Sequence, residues 1–404
     1  MKLAFVISYP PSKVTLNEYA FHLVKSFRKQ NELTELILLT DRTSKAKDLN
    51  FEEEGCKVTV KECWSFNSYK NIFSILKAIN QVKPDAILFN LQFMKFGDKK
   101  LPAALGLCLP LICKIKEIPT IVLLHNILEL VDLKKAGFTS NNTLEYLYNY
   151  IGTKLTQLIL KVDLVAVTMN KYATTLSNKY KCKNVKVIPH GTFELPPKPS
   201  PKLIHNPLKI MTFGKFGTYK KVEYLIEAVE IVRKRTNKIL EIVIAGTDNP
   251  NALGYLDNVK EKYSNIKNVT FTGYVQEKDV EKIFNDSAVV VFPYTSTTGS
   301  SGVLHQAGSY GKAVIMPNLG DLSILIDEEG YRAEFFEPEN IESLADAIEN
   351  VVIHDAYRND LGEANYKAAT AFPMERITKM YLNEFSKIIQ KKSINKTISK
   401  PSII

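Results

Sequence analysis

The sequence predicts an α/β protein with two doubly wound, Rossmann-like domains that face a central cleft. Short apolar segments alternate with amphipathic helical segments along the 404 residues. This alternation stops once near the middle of the chain and then restarts. Alternating strands and helices give parallel sheets covered on both faces. A chain of this length is expected to form two domains rather than one.

Residues 1–193 are predicted to form the N-terminal domain, because apolar runs of strand length alternate along them with segments of helical spacing. The predicted strands are residues 3–9, 35–40, 56–60, 86–90, 120–125, 164–168 and 185–190. The predicted helices are residues 17–30, 72–82, 101–116 and 143–161.

Residues 194–207 are predicted to be the interdomain linker, since they contain five prolines and cannot sustain a helix or a central strand. The pattern restarts in residues 208–373, the predicted C-terminal domain. Its predicted strands are residues 208–216, 239–246, 268–273, 288–294 and 313–317, and its predicted helices are residues 222–235, 254–264, 277–285, 302–310 and 340–352. A final amphipathic helix is predicted over 374–391, with a disordered tail over 392–404.

The formal net charge of +10 is unevenly distributed. Basic residues outnumber acidic ones in residues 1–195 and again in 376–404, whereas acidic residues prevail between them. Such basic regions indicate an anionic partner, such as an anionic membrane, a lipid-linked phosphate or nucleic acid, or they serve only general solubility. Nucleic acid is the weakest of these, because no aromatic recognition stretch lies among the lysines.

The sequence contains no apolar run long enough to cross a bilayer and no typical signal peptide. We therefore expect a cytoplasmic protein, which could lie on the cytoplasmic face of the membrane. The five cysteines lack metal-site spacing and are expected to be reduced thiols. No metal site and no bound cofactor are expected.

The segment GKFGTYKK (214–221) has the residues that a diphosphate site needs. Gly214 ends a predicted buried strand and allows close backbone approach. Lys215 and Lys220 add positive charge at the beginning of the next helix. The alternative is an ordinary solvated lysine loop.

A second phosphate-binding segment follows the strand that ends at Pro293. Its side chains are small or hydroxylated, so its amides can approach an anion at a helix N-terminus. The residues concerned are Thr298, Gly299, Ser300, Ser301 and Gly302. The alternative is an ordinary strand–helix turn.

Two histidines, His125 and His190, end predicted strands of the first domain and are therefore candidates for the rim of the cleft. Each could instead be a satisfied structural histidine. A Ser–His–Asp triad, a zinc motif, paired carboxylates and a GxGxxG fingerprint cannot be placed in the sequence.

The order of these motifs resembles glycosyltransferase family 4, a large retaining family with the GT-B fold. The likeness runs through VIPHG (187–191), the 214–228 segment, LEIVIAG (240–246) and the helix closed by GKAVI (311–315). It implies an N-terminal acceptor domain, a C-terminal nucleotide-sugar domain and a last helix that packs back on the N-terminal domain. It also implies that Lys215 and Lys220 clamp the donor diphosphate.

The sequence departs from the family at the E-x7-E motif, whose two glutamates would fall at Thr298 and Gln306. The resemblance implies that the first contacts the donor sugar and the second the ribose. Gln306 can still hydrogen-bond a ribose hydroxyl. His125 matches the family histidine that contacts the donor sugar. Residues 12–17, including the acceptor candidates Ser12 and Asn17, replace the family's glycine-rich first loop.

The resemblance therefore implies a retaining, metal-independent hexosyltransferase. Its donor would be a UDP- or GDP-sugar, and its acceptor a glycan, a lipid-linked group or a polysaccharide. One alternative is a catalytically weak or silent subunit that binds the sugar nucleotide, which the substituted E-x7-E positions favour. A nucleotide-sugar 2-epimerase would share the fold but would need carboxylates in the cleft.

Overall fold

The structure is a computed structural model that describes the chain except residues 13, 44–54, 131–140, 194, 199–206, 250–251, 297–300 and 399–404. The side chains of residues 321 and 395–398 are also outside the description. The chain forms two compact units, and each is described separately. Unit 1 contains Met1–His190 and Met374–Ile404, and unit 2 contains Gly191–Pro373.

Unit 1 is built on a seven-stranded parallel sheet with the strand order β3-β2-β1-β4-β5-β6-β7. The strands are β1 (Lys2–Val6), β2 (Glu35–Asp41), β3 (Lys57–Trp64), β4 (Ala86–Leu91), β5 (Thr120–Leu124), β6 (Leu164–Val167) and β7 (Val185–Val187). The helices are α1 (Asn17–Arg28), α2 (Asn71–Val82), α3 (Lys100–Leu107), α4 (Leu109–Ile115), α5 (Asn142–Ile159), α6 (Asn170–Tyr180) and α14 (Met374–Ile398).

The central strands of this sheet are apolar on both faces, as expected for a parallel sheet between two helical layers. Every residue of β4 and β5 is buried. Helix α1 turns Leu23, Val24 and Phe27 toward the sheet, and the Phe27 ring meets the edge of Phe5 on β1. The core therefore lies directly beneath the strand ends that carry polar residues.

Unit 2 has a six-stranded parallel sheet with the strand order β10-β9-β8-β11-β12-β13. The strands are β8 (Leu208–Phe216), β9 (Leu240–Asp248), β10 (Val269–Gly273), β11 (Val289–Val291), β12 (Ala313–Pro317) and β13 (Glu334–Phe336). The helices are α7 (Val222–Thr236), α8 (Tyr255–Lys262), α9 (Glu277–Asp286), α10 (Gly302–Ser309), α11 (Gly320–Glu329), α12 (Ile341–Ile353) and α13 (Asp355–Ala371). The prediction of two Rossmann-like domains is confirmed.

The structure corrects several element boundaries. The single helix predicted over 101–116 is two helices, which meet at Cys108, two residues before Pro110. Proline at the second position of α4 is tolerated there, but it prevents one helix from continuing through it. Helices α6, α11 and α13 and the short edge strand β13 were not predicted.

The chain enters unit 2 slightly earlier than the predicted linker. Residues 191–193 belong to unit 2 because the Thr192 amide donates to the Phe372 carbonyl at 2.9 Å, beside a bridge to Pro373. Within 194–207, the described Pro196 carbonyl accepts a hydrogen bond from Tyr366. Residue 194 and residues 199–206 lie outside the described residues.

Helix α14 joins unit 1, in agreement with the expected return of the last helix, but the predicted tail is wrong in part. The helix continues to Ile398 rather than ending at 391. Residues 392–398 contain no proline or glycine to stop it. Residues 399–404 of the predicted tail lie outside the described residues.

In the described part of the chain, no helix combines the length and the apolar composition that a bilayer crossing requires. All five cysteines are free thiols.

The contact of α14 with α1 depends on a small buried hydrogen-bond group. Thr378 Oγ1 lies 3.0 Å from Ser26 Oγ and accepts from Gln30 Nε2 at 3.1 Å. Thr378→Val keeps the shape but leaves buried polar atoms without a partner, so the free energy of unfolding should fall by about 1–3 kcal/mol. Urea denaturation measures it. Ser386→Ala, which deletes an exposed hydroxyl on the same helix, should change little, and equal effects of the two variants would contradict the role of Thr378.

Candidate functional site

The predicted site residues cluster at the topological switch point of each sheet, where ligands bind in doubly wound folds. In unit 2 the strand order reverses between β8 and β11, which pair directly through Ile210 and Val289. In unit 1 it reverses between β1 and β4. The loops that follow these four strands at their carboxyl ends carry most of the candidate side chains.

Two glycines open the switch point of unit 2. Gly214 on β8 lies opposite Gly246 on β9, and both have φ in the left-handed region, at 138° and 140°. A Cβ on Gly246 would lie 1.9 Å from the Gly214 carbonyl oxygen, which no packing change could accommodate. The close approach therefore requires glycine at both positions, and it keeps the strand ends free of side chains.

Lys220 fills the space that Gly214 leaves. A Cβ on Gly214 would lie 2.7 Å from Lys220 Nζ, so the ammonium sits directly over this glycine. The same nitrogen lies 4.6 Å from the ring centroid of Tyr294 and 5.9 Å from that of Tyr219. Burial lowers the pKa of Lys220 from its ordinary value, and the Tyr219 hydroxyl opposes this effect.

Backbone hydrogen bonds fix the loop that carries Lys220. Gly217 donates to the Lys220 carbonyl at 3.1 Å, and Lys221 donates to the Pro293 carbonyl at 2.9 Å. Lys220 also forms an antiparallel bridge with Tyr294. The β8–α7 loop is therefore joined to the residues that directly follow β11.

Helix α10 begins next to this group. Ser301 is its N-cap residue, and Gly302 is its first helical residue. Burial raises the pKa of Tyr294, and the nearby Ser301 side chain opposes that shift. Lys220, Tyr294 and Ser301 thus form one continuous group below the positive end of α10. The predicted residues Thr298, Gly299 and Ser300 lie outside the described residues.

The remaining donor candidates are placed differently. Lys215 is the residue after Gly214 and is exposed, and no ion pair is seen for it among the described residues. Gln306 lies further along α10 and lines a small hollow with Glu277, His305 and Tyr310. Within the described chain, no hydrogen bond joins Gln306 to Lys220 or Ser301. Its predicted ribose contact therefore stays a prediction.

Unit 1 holds His125 and His190 in one aromatic cluster with Tyr19. The Tyr19 ring meets His125 at 4.7 Å and His190 at 4.6 Å between centroids. His125 Nε2 lies 2.6 Å from Asn90 Oδ1. Burial lowers the pKa of His125 well below its ordinary value, and His190 and Lys95 lower it further. The ring is therefore neutral at pH 7 with its proton on Nε2, because Asn90 Oδ1 can only accept.

The two acceptor candidates, Ser12 and Asn17, belong to the loop after β1. The Ser12 hydroxyl donates to Asp41 Oδ2 at 2.5 Å and accepts from the Val14 amide at 3.1 Å. Asn17 Nδ2 donates to the Ser12 carbonyl at 2.7 Å. Both side chains are therefore engaged in shaping the loop, while their predicted contact with an acceptor stays a prediction.

Beneath this loop lies Lys95, which the sequence analysis missed. Its side chain is completely buried, and Nζ donates to Ser8 Oγ at 2.5 Å and to the Thr15 carbonyl at 3.1 Å. Burial lowers the pKa of Lys95 to about 7, and Asp41 opposes this shift. Lys95 joins the ends of β1 and β4, so it holds the switch point of unit 1.

A buried carboxyl group behind α10 was also missed. Glu329 Oε2 lies 3.5 Å from His305 Nδ1, which is itself 2.9 Å from the Tyr331 hydroxyl. Burial raises the pKa of Glu329 to about 8, with a smaller contribution from Glu328. The group is therefore mostly protonated, and hence neutral, at pH 7.

Few sequence signals could have revealed these additional residues. Asn90, like His125, is a polar residue near the end of an apolar strand, and Tyr294 follows a strand that ends in proline, so both were recognisable. Lys95 and Glu329 are ordinary charged residues in sequence, and only the tertiary structure shows that they are buried.

Part of the chain matches a known protein family. Residues 207–354 match the family described as glycosyl transferases group 1. No curated protein sequence matches the chain.

Similar solved structures cover nearly the whole chain. Sucrose-phosphate synthase from Thermosynechococcus elongatus has a TM-score of 0.71 at 14% identity, covering 96% of this chain and 99% of that one. A glycosyltransferase from Rickettsia africae has a TM-score of 0.68 at 16% identity, covering 96% of this chain and 98% of that one. Anabaena HepE in complex with UDP-glucose has a TM-score of 0.66 at 17% identity, covering 96% of this chain and 100% of that one. At such identities the likeness establishes the fold, which is the predicted GT-B fold.

Titration of Lys95 should make stability depend on pH. Because its pKa is about 7 in the folded chain and about 10.4 when exposed, the unfolded chain binds one more proton between these values. The free energy of unfolding should therefore rise with pH from about 7 to about 10. Denaturant titrations across this range should show the rise in the wild type and a flatter curve in Lys95→Met. The exposed Lys77→Met is the control, and parallel curves for wild type and Lys95→Met would exclude a buried titrating Lys95.

Glu329 should act in the opposite direction. Its pKa rises from an ordinary 4.5 to about 8 on folding, so the folded chain binds the extra proton in that window. The free energy of unfolding should fall as pH rises from about 4.5 to about 8. Glu329→Gln should reduce this decline, whereas the exposed Glu281→Gln should preserve it. A Glu329→Gln profile that follows the wild type would show that Glu329 ionises normally.

Proposed function

We propose that this protein is a retaining glycosyltransferase that moves a hexose from a UDP- or GDP-sugar to a glycan, lipid-linked or polysaccharide acceptor. The observation that carries the proposal is the position of Lys220 Nζ, directly over Gly214 and beside the beginning of α10. No carboxylate pairs with this ammonium among the described residues. A cation that is partly desolvated and lacks an acidic partner suits an anionic ligand.

A donor diphosphate is the anion that fits this position best. It would receive the Lys220 ammonium on one side and the α10 amides, starting at Gly302, on the other. The two glycines Gly214 and Gly246 allow phosphate oxygens to approach the backbone closely. The family match over residues 207–354 includes all of these residues and supports the same assignment.

In the proposed reaction these groups act on the leaving nucleotide. As the bond between the sugar and the phosphate breaks, negative charge grows on the phosphate oxygens, and Lys220 with the α10 amides stabilises it. Lys215, which is exposed on the adjacent strand position, is proposed as a second cation. The leaving phosphate would accept the acceptor proton, so the acceptor attacks on the face that the nucleotide leaves and configuration is retained.

Unit 1 is proposed to bind the acceptor. His190 and the loop containing Ser12 and Asn17 are the proposed acceptor surface. The neutral His125 ring, held by Asn90 and Tyr19, is proposed instead to hydrogen-bond a hydroxyl of the donor sugar without adding charge. We also propose contact with an anionic membrane, because the basic excess lies in the two chain segments that form unit 1.

Metal independence is proposed from charge. Lysine ammoniums can neutralise a diphosphate in place of a divalent cation, and the sequence contains no Asp-x-Asp motif. Transfer should accordingly persist in EDTA.

A catalytically silent sugar-nucleotide-binding subunit is the second candidate function. Its supporting observation is Gln306, which stands where the resembled family has a glutamate and makes no hydrogen bond to Lys220 in the described chain. Incubating the isolated chain with the donor, either in water alone or with a panel of acceptors, distinguishes the transferase from the silent subunit. Binding without hydrolysis or transfer would favour the silent subunit.

Donor binding should depend on Lys220. Ligands that bind only the folded state raise the melting temperature, so a thermal-shift panel of UDP-, GDP- and ADP-sugars should identify the donor. UDP-glucose is the first choice, since it is bound in the HepE structure. Lys220→Met should abolish most of the shift and remove about 2–4 kcal/mol of transition-state stabilisation from transfer.

The matched control is Lys238→Met, an exposed lysine of the same unit, which should leave the ligand shift unchanged. If Lys220→Met turned over within about threefold of the wild-type rate, the assigned role would be refuted, since the loss of a single electrostatic donor lowers the rate by far more.

The lowered pKa of Lys220 gives a second test. Its ammonium loses the proton at a lower pH than an ordinary lysine, so UDP affinity should weaken on the alkaline side before exposed lysines titrate. Lys220→Arg carries a permanent charge and should bind UDP with a flatter pH profile. Calorimetric titration with UDP at several pH values measures this. Identical profiles for wild type and Lys220→Arg would show that the Lys220 charge is not what holds UDP.

A further inference from the structure

Helix α5 of unit 1 carries an apolar face that is exposed in the part of the chain that the structure describes. The exposed large side chains on it are Leu144, Tyr146, Leu147, Tyr150 and Ile151. Their exposed fractions run from 40% at Leu144 to 77% at Tyr146. At 100° per residue these side chains fall on one half of the helix, opposite the buried Gly152, Thr156 and Ile159. We call this surface the α5 face.

The charges on this helix are sparse and arranged unequally. Lys154 lies on the α5 face, whereas Glu145, the one acidic residue of the helix, is half-buried on its other side. Lys161 follows the C-cap residue Leu160 and is exposed. An amphipathic helix with aromatic and aliphatic residues on one side and lysines beside them is typical of a helix that lies in a membrane interface.

A basic hollow of about 550 Å³ begins where α5 ends. Four lysines line it, together with Leu160 and Asp163: Lys114, Lys161, Lys391 and Lys392. Asp163 accepts from Lys392 at 2.9 Å and lies 3.9 Å from Lys114. No ion pair is seen for Lys161 or Lys391 in the described part of the chain. The hollow therefore keeps an uncompensated positive charge.

The α5 face and the hollow form one surface, because Leu160 and Lys161 connect them. Helix α5 follows β5 and leads into the parallel strand β6, so it runs from the carboxyl edge of the sheet to the amino edge. The hollow lies at the amino edge, where Asp163 precedes β6. The apolar half of this surface consequently extends toward the edge that holds His125 and His190.

We propose that the α5 face and the four-lysine hollow dock unit 1 on a membrane containing anionic lipid. The apolar side chains enter the interface, and the lysines of the hollow bind lipid phosphates. The two features together suit an anionic lipid better than a free phosphate, since a free phosphate does not need the apolar face. A second copy of the chain is a poorer occupant, because a symmetric contact would place this positive surface against itself.

This docking deepens the proposed function and rests on it in one respect. A membrane along α5 would bring the carboxyl edge of unit 1 near the lipid surface, so the acceptor would be lipid-linked rather than soluble. The vesicle experiment below contains no donor or acceptor, and the UDP thermal shift contains no vesicles. Failure of one therefore leaves the other interpretable.

Flotation with vesicles tests the docking surface. The full chain should float at low salt with phosphatidylcholine vesicles that contain about 30 mol% phosphatidylglycerol, and high salt should weaken this binding. Pure phosphatidylcholine vesicles should bind it much less. Two double variants, Lys161→Gln with Lys391→Gln and Leu147→Gln with Tyr150→Ser, should each weaken flotation by roughly tenfold or more.

Matched double variants in unit 2 provide the controls. Lys238→Gln with Lys267→Gln removes two exposed lysines, and Leu253→Gln with Tyr274→Ser removes two exposed apolar side chains. Both should float like the wild type. The α5 and hollow variants should keep wild-type circular dichroism and UDP thermal shift, since all four replaced side chains are exposed.

Three outcomes would overturn the proposal. The first is a wild type that does not float with anionic vesicles at low salt. The second is equal flotation of the site variants and the controls, which would assign binding to general charge. The third is a wild-type dimer in gel filtration that Leu147→Gln with Tyr150→Ser converts to a monomer, which would make the α5 face a contact between copies.

Discussion

The proposed chemistry depends on the contact between the Lys220 ammonium and Gly214, over which it lies. It requires a residue without a side chain at 214, and a second glycine at 246 because the two strands approach so closely there. It also requires the Lys220–Tyr294 bridge, which joins the loop after β8 to the segment after β11. Each requirement is a feature of the backbone, so the charge is preorganised before any ligand arrives.

The two units use their switch points in contrasting ways. Unit 2 presents the Lys220 ammonium over the rings of Tyr219 and Tyr294, next to the positive end of helix α10. Unit 1 presents a neutral histidine and a lysine whose pKa lies near neutrality, both desolvated by burial. A site for a charged diphosphate and a site for an uncharged sugar would differ in this way. The division is consistent with donor binding by unit 2 and acceptor binding by unit 1.

Much of the fold and part of the site could be predicted from sequence, for physical reasons. Apolar runs that are buried on both faces identify parallel strands, and Gly214 with Lys220 follows a common rule for anions at strand–helix junctions. Lys95 could not be predicted, because its burial depends on tertiary contacts with Ser8 and Thr15, which follow β1. Helices such as α11 and α13 have weak amphipathic patterns and are fixed by tertiary packing rather than by local sequence. The end of α14 was missed because lysine-rich sequence suits both disorder and a solvated helix.

A crystal structure of the chain with UDP would test the central claim most directly, through the distances from the diphosphate oxygens to Lys220 Nζ and to the α10 amides. We expect hydrogen-bond distances of about 2.7–3.2 Å to Lys220 and to at least one amide at the beginning of the helix. A diphosphate bound away from the Gly214–Lys220–Ser301 group, with Lys220 still over the tyrosine rings, would contradict the assignment of this group as the donor site.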